Sequence, residues 1–245
     1  MILFATLSIL FPAIYCQSEI IGKLQLCHQH DPQINDCLKS SIQKGLKTFA
    51  NGFPQYNIPS IEPMEVESWS VPAGKVLPFN QNYYDMKLHN YSTVIIEKVN
   101  STINDRGFHL ALTCFGESMA VDGKYEYLNA FLDGVNLTSK GKVKYFYFEH
   151  RFSVIFDGEV VKNGGADYLE IKRSSVDILK LDLFKIAFTS EDNDVGDKIT
   201  TMFNNISNKL INDNREGYER MYSVEFKRIA NAILSAFPYD ELLPK

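Results

Sequence analysis

One stretch near the middle of the chain limits the fold more than any other. Residues 142–156 read KVKYFYFEHRFSVIF, a run of β-branched and aromatic residues that reads as a strand. Successive side chains of a strand point to opposite faces. The even positions carry Phe146, Phe148, Phe152, Val154 and Phe156, which makes one face strongly apolar. The odd positions carry Val143, Tyr145, Tyr147 and Ile155, interrupted by Glu149, Arg151 and Ser153. A sheet with one wet face alternates more cleanly than this. The even face is therefore expected to be covered by a helix, a second layer or a ligand, and the odd face to be partly sheltered.

The surroundings of this stretch repeat its grammar. From about residue 75 to 189, short segments rich in Val, Ile, Phe and Tyr alternate with turn signals. The expected breaks are Asn104-Asp105, Asp122-Gly123, Asp133-Gly134, Asp157-Gly158 and Asn163-Gly164-Gly165, a spacing that fits consecutive antiparallel hairpins. Ahead of them, Pro54, Pro59, Pro63 and Pro72 exclude a central strand and predict an extended edge segment or connection.

Helices flank the β region. Asp31-Pro32 offers an N-cap and a first-turn proline, Ile34, Cys37, Leu38, Ile42, Leu46 and Phe49 recur at helical spacing, and Asn51-Gly52 ends the pattern. At the other end, Ile199, Met202, Phe203, Ile206 and Leu210, then Tyr222, Phe226, Ile229, Ile233 and Phe237, form one long apolar stripe stopped by Pro238. About 40 helical residues would extend roughly 60 Å. The helix is therefore expected to kink between residues 212 and 217 or to make the molecule elongated. A long apolar helix beside an aromatic sheet predicts an α+β fold in which the sheet wraps around the helix.

The N-terminus bears on the compartment. Residues 1–16, MILFATLSILFPAIYC, hold no charged side chain and a short apolar run, which suits a secretory signal and is too short to span a bilayer of about 30 Å. Cleavage near Cys16–Gln17 leaves residues 17–245 as a single exported domain, expected to be soluble because no later apolar run of about 20 residues follows. Of the remaining cysteines, oxidising conditions favour a bridge between Cys27 and Cys37. Cys114 is left over in an apolar run, as a buried free thiol, a link to a partner chain or a reactive thiol. Four sequons, at Asn90, Asn100, Asn136 and Asn205, become plausible glycan sites once the chain is exported.

Charge and motif content narrow the function classes. The 25 Lys+Arg against 30 Asp+Glu give net −5 without a basic block, which disfavours a nucleic-acid partner. GxSxG, HExxH, Walker-A and GxGxxG patterns are absent. Cys27, His28 and His30 make an incomplete metal shell, and residues 191–197, EDNDVGD, lack the ligand spacing of a calcium loop. His109 and His150 sit in strand patterns, where a hydrogen-bonded interior imidazole outweighs a catalytic base. The residues therefore predict no enzyme, no metal and no cofactor.

Three features together resemble the insect takeout family, related to the haemolymph juvenile-hormone-binding proteins. They are the Cys27/Cys37 pair with its helix, the proline-spaced segment GFPQYNIPSIEPMEV at residues 52–66, and the C-terminal segment at residues 203–244 ending PYDELLP. Phe53 stands where the family signature has its first Ile, and the second disulfide of the hormone carriers is missing, which favours the takeout-like branch. The resemblance implies a tubular-lipid-binding-like fold, one long helix wrapped by a strongly curved antiparallel sheet, enclosing an apolar tunnel. It also implies a secreted monomeric carrier in haemolymph or another extracellular fluid, for a terpenoid such as juvenile hormone or a fatty-acyl lipid, without stable membrane association. The family is linked to feeding, circadian output and chemosensation; a membrane-docking lipid-transfer or signalling protein of the same fold is the alternative. On that reading the expected lining is Phe146, Phe148 and Phe152 with Leu110 from the sheet, and Met202, Phe203, Ile206, Phe226 and Ile229 from the helix. His109 or a Tyr hydroxyl is expected to orient a head group. Ordinary core packing is the competing reading for each of these residues, because a core and a tunnel wall share one composition.

Overall fold

The computed structural model describes residues 20–245. The signal-peptide reading of residues 1–16 lies outside the described residues. In chain order the elements are helix α1 (Ile34–Thr48), strands β1 (Met64–Val71), β2 (Gln81–His89), β3 (Ile95–Asn104) and β4 (Gly107–Tyr127), and a small hairpin of β5 (Phe131–Leu132) and β6 (Val135–Asn136). Strands β7 (Ser139–Asn163), β8 (Ala166–Lys180) and β9 (Leu183–Ser190) follow, then helices α2 (Asn193–Asn205), α3 (Ser207–Asp213), α4 (Arg215–Ala236) and α5 (Tyr239–Leu242). The proline segment holds a single 3-10 turn, Pro54–Tyr56, before β1.

Two long strands form the spine of a curled antiparallel half-barrel. β4 and β7 pair without a register break from Gly107↔Glu159 to Tyr127↔Ser139. Each is long enough to hold two successive neighbours. The first half of β4 pairs with β3 and its second half with β2, whose outer neighbour is β1. The first half of β7 pairs with β9 and its second half with β8. The spine thus divides the sheet into one end built from β3, β4, β7 and β8, and another from β1, β2, β4, β7 and β9.

The two ends differ in which side chains face inward. In the first part of β7, Val143, Tyr145 and Tyr147 are buried; beyond Glu149 the buried set becomes His150, Phe152, Val154 and Phe156. Glu149 adopts φ 49°, and Phe148 and Glu149 both face outward. β4 inverts at the same level: Leu112, Cys114 and Gly116 face in on one side, and Met119, Val121, Tyr125 and Tyr127 on the other, with Glu117 and Ser118 both exposed. Carrying one period of two across Glu149 therefore misplaces Phe146 and Phe148. They lie on the outer face, 37% and 36% exposed.

Two expected turns also fall inside strands. Asp122-Gly123 lies within β4 opposite the irregularity of β2 between Tyr84 and Lys87, and Asp157-Gly158 lies at the register shift between β7 and β8. A Cβ at Gly123 would come within 2.3 Å of Met86 Sδ, and one at Gly158 within 2.3 Å of the Phe108 ring. These glycines mark bulges with close approach of neighbouring atoms, the other use of glycine in a strand. The Asn163-Gly164-Gly165 and Asp133-Gly134 turns fall where the sequence places them.

The C-terminal stripe is three helices in place of one. It breaks at Asn214 (φ −102°, ψ 8°), inside the expected kink, and also at Ile206 (φ −112°, ψ 9°). The breaks let the helices follow the curl of the sheet and seal its edges. Asn204 of α2 accepts from Ile186 N–H (3.1 Å) and donates to Ile186 O (2.7 Å) on β9. Asn231 of α4 does the same to Ile171 of β8, at 2.7 and 3.1 Å. Gln43 of α1 accepts from Ile96 N–H and donates to Val94 O, both at 2.8 Å, along β3. Side-chain amides replace the missing neighbouring strand, which leaves these edges unavailable for pairing with another chain. Arg228 of α4 also donates to Glu65 O of β1 (3.1 Å), so α4 spans from one border strand to the other.

The N-terminal segment is strapped to both ends of the chain. Cys27 and Cys37 form a disulfide with Cα atoms 5.7 Å apart, tying the segment to α1. Gln29 donates through its backbone to Pro244 O (2.9 Å) and through its side chain to Leu243 O (2.6 Å). Helix α1 starts two residues later than Asp31-Pro32 suggests, with Gln33 in the N-cap position, and Asp31 Oδ1 accepts from Gln33 N–H (2.7 Å) in a local turn ahead of the helix.

Candidate ligand-binding cavity

A cavity of about 330 Å³ occupies the end built from β3, β4, β7 and β8. Its sheet wall includes Ile96, Ile103, Leu110, Leu112, Cys114, Phe152, Val154, Phe156 and Ile171. Helix α1 contributes Leu38, Ile42, Leu46 and Phe49, and α4 contributes Phe226, Ile229, Ile233 and Leu234. Leu24, Cys27, Leu242 and Leu243 join the lining from the strapped segments, and Met64 and Ile61 from the start of β1 and the turn before it. Ser41 and Tyr91 are the hydroxyl-bearing residues among those that line it. The rest is hydrocarbon, aromatic ring and sulfur.

Burial in this wall is incomplete in an informative way. Leu38, Ile42, Leu46, Leu110, Phe226, Ile233 and Leu234 sit on inward faces yet are only half-buried. α1 has no fully buried residue at all, although its apolar stripe faces the sheet. All of these side chains line the cavity. Apolar surface in that state gains about 25 cal/mol per Å² when a hydrophobic molecule replaces water against it.

The cavity stops where the inward faces invert. Phe152 is its last β7 residue, and His150 lies one inward position further, about 7 Å along the strand. The His150 ring packs on Phe152 (4.9 Å between centroids), Tyr147 (5.7 Å) and Tyr222 (6.2 Å). Burial pushes its imidazole pKa down to about 4, so it is neutral at physiological pH. Beyond it, aromatic rings fill the other end. Tyr127 stacks on Phe203 at 5.9 Å, Phe188 meets Phe203 at 5.0 Å, Tyr145 stacks on Phe184 at 5.7 Å, and the Tyr83 and Tyr127 hydroxyls lie 2.9 Å apart. Burial raises the pKa of Tyr83 to about 12 and that of Tyr127 well above its ordinary value.

The structure separates the residues that the sequence groups together. Leu110, Phe152, Phe226 and Ile229 line the cavity. Phe203 is fully buried in the aromatic end, and Met202 and Ile206 pack against the core there without reaching the cavity. Phe146 and Phe148 are on the outer face for the reason given above. His109 also faces out: its neighbours Leu110 and Leu112 take the inward positions, and its Nδ1 lies 2.7 Å from Asp157 Oδ1. That contact, with Arg173 beside it, holds the Asp157 carboxyl below the usual range. Cys114 is a buried free thiol in the cavity wall, and burial pushes its pKa up to about 12, so it is unreactive. The helical spacing of the α1 stripe reveals an apolar face, but carries no sign that the face borders empty space. Tyr91, in a 3-10 turn, has no periodic signal at all.

The sequon residues fall at different depths. Asn100, Asn136 and Asn205 are exposed, whereas Asn90 is half-buried and its side chain donates to Ser118 O (2.9 Å). Among the described residues no helix is long and apolar enough to cross a membrane.

Comparison with known proteins places this architecture. A solved structure of Takeout 1 from Epiphyas postvittana superposes with a TM-score of 0.73 at 16% identity, over 91% of this chain and 100% of that one. A lipopolysaccharide binding protein aligns with a TM-score of 0.30 at 15% identity, over 67% of this chain and 35% of that one. No curated protein matches the sequence itself. The family model for haemolymph juvenile hormone binding protein (JHBP) matches residues 2–244. With a curled antiparallel half-barrel of the takeout type and a family match over nearly its whole length, the chain belongs to the haemolymph juvenile hormone binding protein family.

Proposed function

We propose that this protein is a secreted carrier that binds one small hydrophobic ligand, a terpenoid or fatty-acyl lipid, in the cavity between α1, α4 and the β3–β4–β7–β8 end of the sheet. The observation that carries this reading is an apolar cavity of about 330 Å³, within the range of small-molecule sites, with half-buried side chains of α1 and α4 along its helix side. A ligand of about 15–18 carbons that removes roughly 400 Å² of apolar surface from water gains on the order of 10 kcal/mol. Association costs at least about 4 kcal/mol. The remainder, about 6 kcal/mol, corresponds to tens of micromolar, and the larger area coefficients bring it to submicromolar. Such affinities let a carrier both load and release. Binding rather than catalysis, an extracellular location, a monomeric state and glycans at Asn100, Asn136 and Asn205 belong to the same reading.

Uptake of a fluorescent fatty acid tests it with two matched substitutions. Phe226→Asp puts a carboxylate into the wall and is expected to abolish uptake, whereas Phe148→Asp on the outer face is expected to leave it intact. Equal loss in both folded variants, or none in either, contradicts the assignment.

A second reading, docking on lipid surfaces during transfer, is favoured by one observation. The outward positions of β7 read Lys140, Lys142, Lys144, Phe146 and Phe148, all exposed, with Lys124 opposite Lys142. Lysines beside aromatic rings suit an anionic bilayer surface, to which each cation adds about 1 kcal/mol. Flotation with anionic liposomes distinguishes the two: a carrier stays in the bottom fraction and a docking protein rises with the lipid.

A further inference from the structure

His150 is the polar group that the fold leaves least explained. It is 3% exposed, and neither Nδ1 nor Nε2 has a hydrogen-bond partner. Buried polar atoms nearly always have partners, because water lost on burial must be replaced. His150 stands immediately behind the inner end of the cavity, where its ring touches Phe152, and Phe152 touches Phe226 at 6.0 Å. The Tyr91 ring lines the cavity 5.8 Å from Phe226, and its buried hydroxyl is directed to the Tyr222 hydroxyl on the same side of the cluster. No charged side chain belongs to this cluster. A neutral imidazole offers one N–H donor and one lone-pair acceptor, and a phenol offers both. A group that satisfies the whole set must itself both donate and accept.

We propose that His150, with Tyr91, receives the polar end of the ligand, so that the cavity selects chains ending in an alcohol or an undissociated carboxylic acid over esters and hydrocarbons of equal length. The proposal rests on the carrier reading and adds the direction of binding: the head group enters first and the tail lies along α1 toward Leu38 and Leu242. In the empty protein the His150 nitrogens are covered by the surrounding rings, so the head group reaches them as a ring of the Tyr91–Phe152–Phe226 wall turns aside. An ester satisfies the imidazole donor alone and leaves its lone pair unpaired. A hydrocarbon satisfies neither.

Displacement of a fluorescent fatty acid by hexadecanol, methyl palmitate and hexadecane tests this on the native protein and two variants. One recovered hydrogen bond amounts to about a five- to ten-fold preference. The native protein is expected to bind hexadecanol about that much more tightly than methyl palmitate. His150→Phe is expected to erase the preference while keeping hexadecane binding, and His150→Asn, which still donates and accepts, to keep part of it. Circular dichroism confirms that each variant is folded. Equal binding of alcohol and ester by the native protein, or a preference that survives His150→Phe, overturns the proposal and leaves the carrier reading intact. Failure of all three ligands to displace the probe from the native protein removes both.

Discussion

Leu46 and Leu77 have the same side chain, yet Leu77 is completely buried and Leu46 is not. Leu46 borders the cavity, as do the other half-buried side chains of α1 and α4, whereas on the sheet side of the same cavity Phe152 and Ile171 are buried. His150, at the boundary, also has a consequence for acid stability. Its folded pKa of about 4 lies below the ordinary value of 6.5. Between those values the unfolded chain binds a proton that the folded chain refuses, so stability falls as pH is lowered through this window and the effect ends below about 4. The accumulated loss is on the order of 3 kcal/mol. Denaturant titrations of the native protein and His150→Phe from pH 7 to pH 4 are expected to diverge by about that amount, the variant losing less. Parallel curves contradict a buried neutral imidazole.

At the scale of elements, the helices hold the sheet by side-chain amides as well as by apolar faces. Asn231 satisfies both backbone groups of Ile171 on β8. Replacing it with Ala is expected to lower stability by about 2 kcal/mol, the cost of two part-buried hydrogen bonds, read as a lower midpoint of denaturation. A loss below about 0.5 kcal/mol contradicts an edge-sealing role. Much of the element scale is legible in the sequence. The 3.6-residue stripes of α1 and the C-terminal helices, the proline-bounded edge strand and most turns follow from local chemistry. What is illegible depends on a neighbour. Gly123 and Gly158 read as turns until Met86 and Phe108 are seen to need their space, and nothing local to Asn204 or Asn231 marks them as partners of a strand edge. The inversion at Glu149 follows from one backbone angle, and a period of two carries no warning of it. That is why Phe152 and Phe148, four residues apart, end on opposite faces.

The molecule as a whole is a half-barrel with unlike ends, one packed around stacked aromatic rings, the other enclosing the apolar cavity. Disulfide, α1 and C-terminus together border the aliphatic end. Cys27→Ser with Cys37→Ser removes a cross-link over a separation of 10 residues and is expected to cost about 3 kcal/mol. Thermal unfolding of the double variant should shift downward accordingly, and an unchanged midpoint contradicts a role for the strap in stability. The overall α+β architecture is legible from the aromatic strand, the amphipathic helices and the family resemblance. The division into two ends is not, because it arises from the spine strands changing partners halfway along β4 and β7.

The central claim is that the space between α1, α4 and the aliphatic end of the sheet holds one lipid chain. Native mass spectrometry of the protein from its own source measures this directly. The account predicts a folded chain carrying a single added mass, released as a hydrophobic molecule on denaturation and absent from Phe226→Asp. A protein that never carries such a mass, or that carries it equally in Phe226→Asp, contradicts the account.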